Sequence, residues 1–374
     1  MSRSATGVGH RPWTRESLCS YLDSLGYGQP RILREVELGG TDEQELKGFG
    51  YGTPVLLEFE SQGKNYQLVL HTLSPDGFGH DRMSDRAESL LLAHRTFDRL
   101  PRHVSSIDVG TFTKDAGMIS LGGSEEFFLL TEFAPGRLYA LDLERIRDTG
   151  QCDDADRNRA RELALYLARI HKRKHTDPLV YRRRIRDLVG HGEGIMGLLD
   201  SYPPDTLDTS LVDPSFLERV EHAAVAWRWK LKPKVQRLSQ VHGDFHPFNI
   251  LLQDGEEFRL LDRSRGEWGE PADDVTALSI NYIFFALQSA DRFDGPLRSL
   301  FEHFWKTYLD ETQDTEVLET APPFFAWRGL VVASPLWYPS IPQAVRVSLF
   351  RFIENVMADP PFDPSAVNRY LELP

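Results

Sequence analysis

A short polar segment near residue 245 carries the side chains best suited to chemistry. His242, Asp244 and Asn249 lie close together in the chain, Asp262 follows a predicted hairpin, and Asp274 ends a Gly-Glu-Pro-Ala-Asp-Asp run. Amide and carboxylate oxygens are hard ligands, which suit Mg²⁺ bound to phosphates better than zinc. A further carboxylate beside such a cation, here Asp244, could accept a proton from a nucleophile.

The register of the predicted hairpin brings two of these side chains together. Asp-Gly at 254–255 is a strong signal for a two-residue turn between two apolar runs. Counting back from this turn places Asn249 opposite Leu260, so Asp262 lies one diagonal step further along the same face. Diagonal neighbours are about 7–8 Å apart at the backbone, close enough for an amide and a carboxylate to share one cation. The register therefore predicts a metal site formed by Asn249 and Asp262.

The segment resembles the catalytic core of the aminoglycoside phosphotransferase and choline kinase-like families, which are relatives of protein kinases. Their pattern runs H-G-D-x-H-x-x-N, then a hairpin, an Asp and G-[DE]-P-x-x-D, and the chain matches it throughout. The resemblance implies that Asp244 is the catalytic base for a substrate hydroxyl. It also implies that Asn249 and Asp262 hold Mg²⁺, and that His242 and Asp274 support the catalytic loop.

The rest of the chain agrees with a two-lobed, protein kinase-like α+β fold. We expect an N-terminal helical extension at 1–31, a β-rich nucleotide-binding N-lobe at 32–133, and a helical C-lobe at 134–374 with the catalytic loop and the acceptor site. One helical period, from Met83 to Phe97, interrupts the first lobe. Strand-like runs are predicted at 36–38, 55–59, 66–70, 105–109, 118–121 and 127–130. In the helical C-terminal part, breaks are predicted at the prolines at 322, 323, 335, 339 and 342.

A glycine-rich segment precedes the second predicted strand and contains Lys47, Gly48, Gly50 and Gly52. Glycines there would let backbone amides approach phosphate oxygens closely. By itself such a segment is more often only a turn between strands. A kinase-like fold places its phosphate loop at this point in the sequence, so we expect these residues to bind nucleotide.

Other nucleotide-binding positions follow from the resemblance. Glu88 matches the helix glutamate of such folds, and Glu132 and Ala134 lie in the segment that matches the adenine-binding hinge. His71 ends the third strand, where these families carry a lysine that pairs with the phosphates and the helix glutamate. A histidine near neutral pH is charged only part of the time, so Lys47 could act in its place.

Two alternatives to this interpretation are open. His242, Asp244 and His246 could themselves be metal ligands, since alternate residues of a strand share one face. In the other alternative, the chain is a nucleotide-binding module without transfer activity that acts as a regulator or scaffold. His71 in place of lysine, and Arg263 beside Asp262, motivate that second alternative.

Composition limits the partners and the compartment. The 374 residues carry a formal net charge of −13, which disfavours nucleic acid and anionic membrane surfaces and favours a cationic small molecule as the hydroxyl acceptor. Cys19 and Cys152 are the two cysteines, so a reducing, cytoplasmic setting is expected. Mg²⁺ is the expected cofactor and ATP the expected co-substrate. The sequence does not determine the acceptor's identity, the choice of ATP over GTP, or the oligomeric state.

Overall fold

The computed structural model describes residues 11–38, 52, 54–77, 79–202, 214–253 and 257–372. Backbone contacts divide the chain into two units, Met1–Thr131 and Glu132–Pro374. Each unit has its own hydrophobic core. Lys47, Gly48 and Gly50 of the predicted phosphate loop lie outside the described residues.

The first unit is built on a three-stranded antiparallel sheet in the order β1-β2-β3. Its turn between β2 and β3 consists of Gln62 and Gly63, which both have positive φ, 48° and 74°, as a two-residue type I′ turn requires. The elements of this unit are α1 (Arg15–Ser24), β1 (Arg31–Glu37), β2 (Val55–Ser61), β3 (Lys64–Leu70), α2 (Met83–Thr96), β4 (Gly110–Phe112) and β5 (Met118–Ser120).

The core of this unit lies between β2 and α1. Alternate residues of β2, including Val55 and Phe59, are buried against Leu18 and Leu22 of the helix. The Thr14 side chain accepts a backbone hydrogen bond from the first turn of α1 and caps it. The predicted N-terminal helix is therefore confirmed, and it shares its core with the sheet.

The predicted strands of the first unit have mixed outcomes. Those at 55–59 and 66–70 are confirmed as parts of β2 and β3. The strands predicted at 105–109 and 127–130 are wrong, because neither run forms a strand and β4 begins directly after the first of them. Apolar side chains favour a strand, but a ladder also needs a neighbouring strand, which the sequence pattern does not supply.

The second unit is mainly helical. Its helices are α3 (Tyr139–Thr149), α4 (Asp154–His171), α5 (Pro178–Gly190), α6 (Ile195–Asp200), α7 (Pro214–Leu231), α8 (Pro271–Leu287), α9 (Gly295–Thr312), α10 (Glu316–Ala333), α11 (Gln343–Ala358) and α12 (Val367–Leu371). Its strands are β6 (Arg137–Leu138), β7 (Ser239–Gln240), β8 (Ile250–Leu252), β9 (Phe258–Leu260) and β10 (Trp268–Gly269).

Helix α8 forms the centre of this unit. Every one of its residues is buried, as expected for a helix that is apolar on all sides. It packs against α9 and α10, and α10 packs against α11. None of the helices in the described part of the chain is both long and apolar enough to cross a membrane.

The helix break predicted at Pro322 and Pro323 is wrong, because both prolines lie inside α10. A proline cannot donate to the carbonyl four residues earlier, which for Pro322 is that of Leu318. The backbone N–H of Phe362 donates to this carbonyl instead, with N and O 2.9 Å apart. A tertiary hydrogen bond thus replaces the one that the helix loses.

Two small sheets hold the polar loop at 241–249. Strand β7 pairs with β10 before this loop, and β8 pairs with β6 and β9 after it. Phe245, in the middle of the loop, is fully buried and stacks on Tyr166 of α4, with ring centroids 5.9 Å apart. Both ends of the loop and its centre are therefore anchored in the second unit.

Candidate active site

Asp274, in the first turn of α8, fixes the start of the polar loop. Its two carboxylate oxygens accept the backbone N–H groups of His242 and Gly243, each at 2.7 Å. His171 Nε2 lies 3.2 Å from the same carboxylate, and Tyr308 completes this chain with a hydroxyl 2.8 Å from the other nitrogen of His171. Burial alone would raise the pKa of Asp274, but these hydrogen bonds outweigh it and hold the pKa below its ordinary value.

Asp244 lies at the centre of the loop and carries strongly unequal contacts on its two oxygens. Arg328 Nη1 donates a hydrogen bond to Oδ1 at 2.6 Å, and Arg265 Nη1 forms an ion pair with the same oxygen, also at 2.6 Å. The neighbours of Oδ2 are more distant: His246 Nε2 at 3.5 Å and the amide nitrogen of Asn249 at 3.4 Å. Oδ2 is therefore the oxygen that has the greater capacity left for another donor.

The charge of Asp244 is stabilised in spite of its burial. Burial by itself would raise the pKa of this carboxyl. The positive charges of Arg328 and Arg265 outweigh that effect and hold the pKa of Asp244 far below its ordinary value. Asp244 is therefore ionised at neutral pH, as an acceptor of a proton or of a hydrogen bond must be.

The predicted register of the hairpin is wrong by one residue. Ile250 pairs with Leu260, and the backbone N–H of Leu261 donates to the carbonyl of Asn249 at 2.9 Å. Residues 254–256 lie outside the described residues. The N–H of Gln253 donates to the carbonyl of Glu257 at 2.9 Å, so three residues separate the two paired positions where two were predicted. Asn249 and Asp262 therefore do not share a pleat face as predicted.

Asp262 nevertheless follows directly on a residue that is paired with Asn249. It has a φ of +50°. A positive φ is uncommon for a residue other than glycine and changes the direction of the chain at the strand end. The amide nitrogen of Asn249 donates to the carbonyl of Asp244 at 3.1 Å, which leaves its oxygen as the atom able to bind a cation.

The donor set fits Mg²⁺ bound to phosphates. Asn249 and Asp262 offer an amide oxygen and a carboxylate, which are hard ligands, and too few to enclose a cation without phosphate or water. Within the described ranges, no three His, Cys, Asp or Glu residues are grouped so as to hold a metal. The alternative with His242, Asp244 and His246 as metal ligands is therefore not supported.

Sequence reasoning missed a row of buried charges behind the loop. Arg184, Asp273, Arg328, Asp244 and Arg265 form consecutive ion pairs of alternating sign. Arg184 belongs to an arginine-rich stretch that is typical of a solvated helix face, yet it is only 9% exposed. The sequence signal for this network was Asp273, beside Asp274 at the start of a predicted helix. A buried carboxylate there needs a positively charged partner from elsewhere in the chain.

Arg263, the departure from the family pattern beside Asp262, has a structural contact. Its guanidinium donates to the carbonyl of Val241 from Nε at 3.2 Å and from Nη2 at 2.9 Å. It therefore ties the segment after β9 to the start of the loop at 241–249.

The described part of the first unit contains three of the predicted nucleotide-binding residues. His71 directly follows β3 and is exposed, as is Glu88 on α2. In the part of the chain that the structure describes, no ion pair joins these two side chains. Gly52 packs so tightly on the backbone after His71 that a Cβ atom would lie 1.9 Å from the carbonyl oxygen of Thr72. Only glycine fits there.

The two predicted hinge residues belong to the second unit. Glu132 is exposed and Ala134 is half-buried, in a segment without regular secondary structure ahead of β6. This extended backbone is compatible with hydrogen bonding to a base, and the assignment of Glu132 and Ala134 to adenine binding stays a prediction.

Comparisons with known proteins identify the family of the chain. Residues 82–312 match the model of the phosphotransferase enzyme family. A kinase-like architecture with a β-rich first unit and a helical second unit follows from this match and from the element order. The predicted fold class, a two-lobed protein kinase-like α+β fold, is therefore confirmed.

Solved structures similar to this chain include three small-molecule kinases. An ethanolamine kinase of Plasmodium vivax is 14% identical over 91% of this chain and 80% of its own, with a TM-score of 0.34. An amicoumacin kinase in complex with AMP-PNP and Ca²⁺ is 16% identical over 95% of this chain and 97% of its own, with a TM-score of 0.40. A choline kinase of Streptococcus pneumoniae is 14% identical over 92% of this chain and 98% of its own, with a TM-score of 0.35. No curated protein matches the sequence.

The bonds of Asp274 predict a specific loss of stability. Asp274→Asn would turn an amide N–H₂ toward a backbone donor of the loop, so we expect the free energy of unfolding at pH 7 to fall by about 3 kcal/mol or more. Urea unfolding would measure this loss, with Asp310→Asn on the exposed face of α9 as the control.

The loss should depend on pH. Folding lowers the pKa of Asp274, so the contribution of its carboxylate to stability is complete well above the ordinary carboxyl pKa of about 3.9. The contribution is lost as the pH falls below that value, and the gap between wild type and variant should narrow there; an unchanged gap would contradict this role.

Proposed function

Because the chain belongs to the phosphotransferase enzyme family, we propose that it transfers the γ-phosphoryl group of ATP to a hydroxyl group of a small molecule. The observation that carries this proposal is the state of Asp244. Its carboxylate is ionised, its Oδ1 is held by two arginines, and its Oδ2 has only long contacts. This is the arrangement that a hydroxyl nucleophile requires of a base.

In the proposed reaction, Asp244 Oδ2 accepts a hydrogen bond from the acceptor hydroxyl and directs its oxygen at the γ-phosphorus. The new O–P bond forms while the bond between the γ-phosphorus and the β,γ-bridging oxygen breaks, and ADP leaves. The hydroxyl proton passes to Oδ2. Asp244 thus contributes both by orienting the hydroxyl and by accepting its proton.

Asn249 and Asp262 are the residues that would hold Mg²⁺. When bound there, the cation would neutralise charge on the phosphate oxygens. His242 supports the loop from within, because its Nδ1 lies 3.3 Å from the backbone nitrogen of Asp244. Burial lowers the pKa of His242, which favours the neutral ring that can accept this hydrogen bond.

The proposal assigns nucleotide binding to the β-rich N-lobe and the segment after it, and acceptor binding to the helical C-lobe. Gly52 supports this assignment, since the close approach of its backbone to Thr72 is typical of a glycine loop built against a strand end. The proposed nucleotide-binding residues are Lys47, Gly48, Gly50, Gly52, His71, Glu88, Glu132 and Ala134.

The acceptor's class is best tested with a panel of hydroxylated metabolites and antibiotics, read out by ADP formation from MgATP. The net charge of −13 supports a cationic acceptor. The two cysteines support a reducing, cytoplasmic compartment. Turnover with neutral or anionic alcohols alone would contradict the charge argument. MgATP binding without transfer to any acceptor would contradict the enzyme proposal and favour a nucleotide-binding module.

Asp244→Asn tests the base directly. Because Asn cannot take the proton, we expect kcat to fall by roughly 100- to 10,000-fold, while MgATP still binds with near-normal affinity in calorimetry. Asn retains the size of the side chain, and circular dichroism would verify that the variant is folded. Asp310→Asn, on the exposed face of α9, is the matched control and should keep full turnover. A variant with near-normal turnover would mean that another group is the base.

His71 provides a separate test of the nucleotide site. If His71 replaces the usual lysine, His71→Ala should weaken MgATP binding about tenfold, or about 1.4 kcal/mol. His71→Lys should keep or improve the affinity. His103→Ala, at another exposed histidine of the first unit, is the control. Loss of binding in Lys47→Ala, with unchanged affinity in His71→Ala, would assign the role to Lys47 instead.

A further inference from the structure

Arg328 connects three parts of the second unit through one guanidinium group. It lies on α10 and is 5% exposed. Nη1 donates to Asp244 Oδ1 at 2.6 Å, while Nη2 donates to the carbonyl of Gly243 at 3.0 Å and to Asp273 Oδ1 at 2.6 Å. One side chain therefore joins α10, the catalytic loop and the first turn of α8.

These contacts determine which oxygen of Asp244 faces outward. Oδ1 receives both Arg328 and Arg265 at short distance, and the contacts of Oδ2 are at the outer limit of hydrogen bonding. Rotation of the carboxylate would break the charge-assisted hydrogen bond from Arg328 and the close ion pair with Arg265, so the orientation is fixed. The planar fork of an arginine can hold a carboxylate, a carbonyl and a second carboxylate at once, which a lysine cannot do with the same geometry.

Gly243, the residue before Asp244, is held through both of its backbone polar groups. Its N–H donates to Asp274 at 2.7 Å, and its carbonyl accepts from Arg328. The two adjacent aspartates at the start of α8 thus act on the same residue: Asp274 directly, and Asp273 through Arg328. Gly243 has a φ of +88°, a conformation that glycine tolerates and that these bonds maintain.

Two further features show that Arg328 is arranged for geometry rather than for stability alone. Its Nε is buried without a hydrogen-bond partner among the described residues, a cost that a core selected only for stability would avoid. The centroid of the Trp327 ring lies 3.9 Å from Cζ of Arg328 and 5.0 Å from Cζ of Arg265. The ring therefore supports both guanidinium groups that hold Oδ1.

We infer that Arg328 is a positioning residue for phosphoryl transfer, which holds the Asp244 carboxylate so that Oδ2 meets the acceptor hydroxyl. This inference rests on the proposed function. Asp244 keeps a neutralising partner in Arg265 when Arg328 is changed, so replacing Arg328 tests orientation more than charge.

The test is steady-state kinetics of Arg328→Gln and Arg328→Lys with MgATP and an acceptor from the panel, or with water as acceptor in slow ATP hydrolysis. Misplacement of a catalytic group by about 1 Å can cost about 100-fold in rate. We expect kcat to fall about 100-fold in Arg328→Gln and about tenfold in Arg328→Lys, which retains a charge. The KM for MgATP should stay within about twofold in both variants.

A merely structural role is distinguished by a double variant, Arg328→Met with Asp273→Asn. It removes the buried cation together with one of its carboxylate partners, so the fold should tolerate it better than the single changes. The inference predicts a stability close to wild type with kcat still about 100-fold low. Recovery of kcat together with stability would overturn it.

Arg237→Lys is the matched control. Arg237 is also buried, at 4% exposed, and pairs with Glu270 and Asp314 without contacting Asp244. We expect this variant to lose stability and to keep the kcat of its folded fraction. Folded Arg328 variants with kcat within threefold of wild type would overturn the inference while the proposed function stands. A wild type with neither transfer nor hydrolysis would overturn the proposed function, and the inference with it.

Discussion

The catalytic loop depends on one carboxylate buried in the first turn of a fully buried helix. Asp274 accepts hydrogen bonds from the backbone N–H groups of His242 and Gly243. Neither residue belongs to a strand, so neither N–H group takes part in a β-sheet hydrogen bond. The packing of α8 against α9 and α10 fixes where this carboxylate lies. The loop therefore takes its position from the helical core, and the side chains that follow Gly243 are presented in one arrangement.

Charge is retained at this buried site because each group has a partner of opposite sign. Asp273 and Asp244 alternate with Arg184, Arg328 and Arg265. A buried charge without a partner would either become neutral or destabilise the fold. The same pairing that makes burial tolerable also lowers the pKa of Asp244. Tolerance of the buried charge and the ionised state of Asp244 therefore have one physical cause.

The departures from the family pattern concern different parts of the reaction. Arg263 holds the backbone carbonyl of Val241 at the start of the loop, so its presence beside Asp262 is explained by a structural contact and does not by itself favour loss of activity. His71 directly follows β3, next to the segment packed on Gly52, and its role in nucleotide binding stays a prediction.

The sequence by itself determined the family and the fold class and named the candidate residues of the loop at 241–249, because these depend on local spacing and on hydrophobic periodicity. It also located α1, α2 and the strands β2 and β3. Only the tertiary structure decided the register that pairs Leu261 with Asn249, since the length of a turn shifts every partner beyond it. Residue spacing also could not predict that Arg328 pairs with Asp244. Arg328 lies on α10, in a segment whose aromatic and proline-rich sequence resembles helical core and no loop motif. A buried ion pair is formed by helix packing across the core, and the packing of helices far apart in the chain is what residue spacing alone cannot specify.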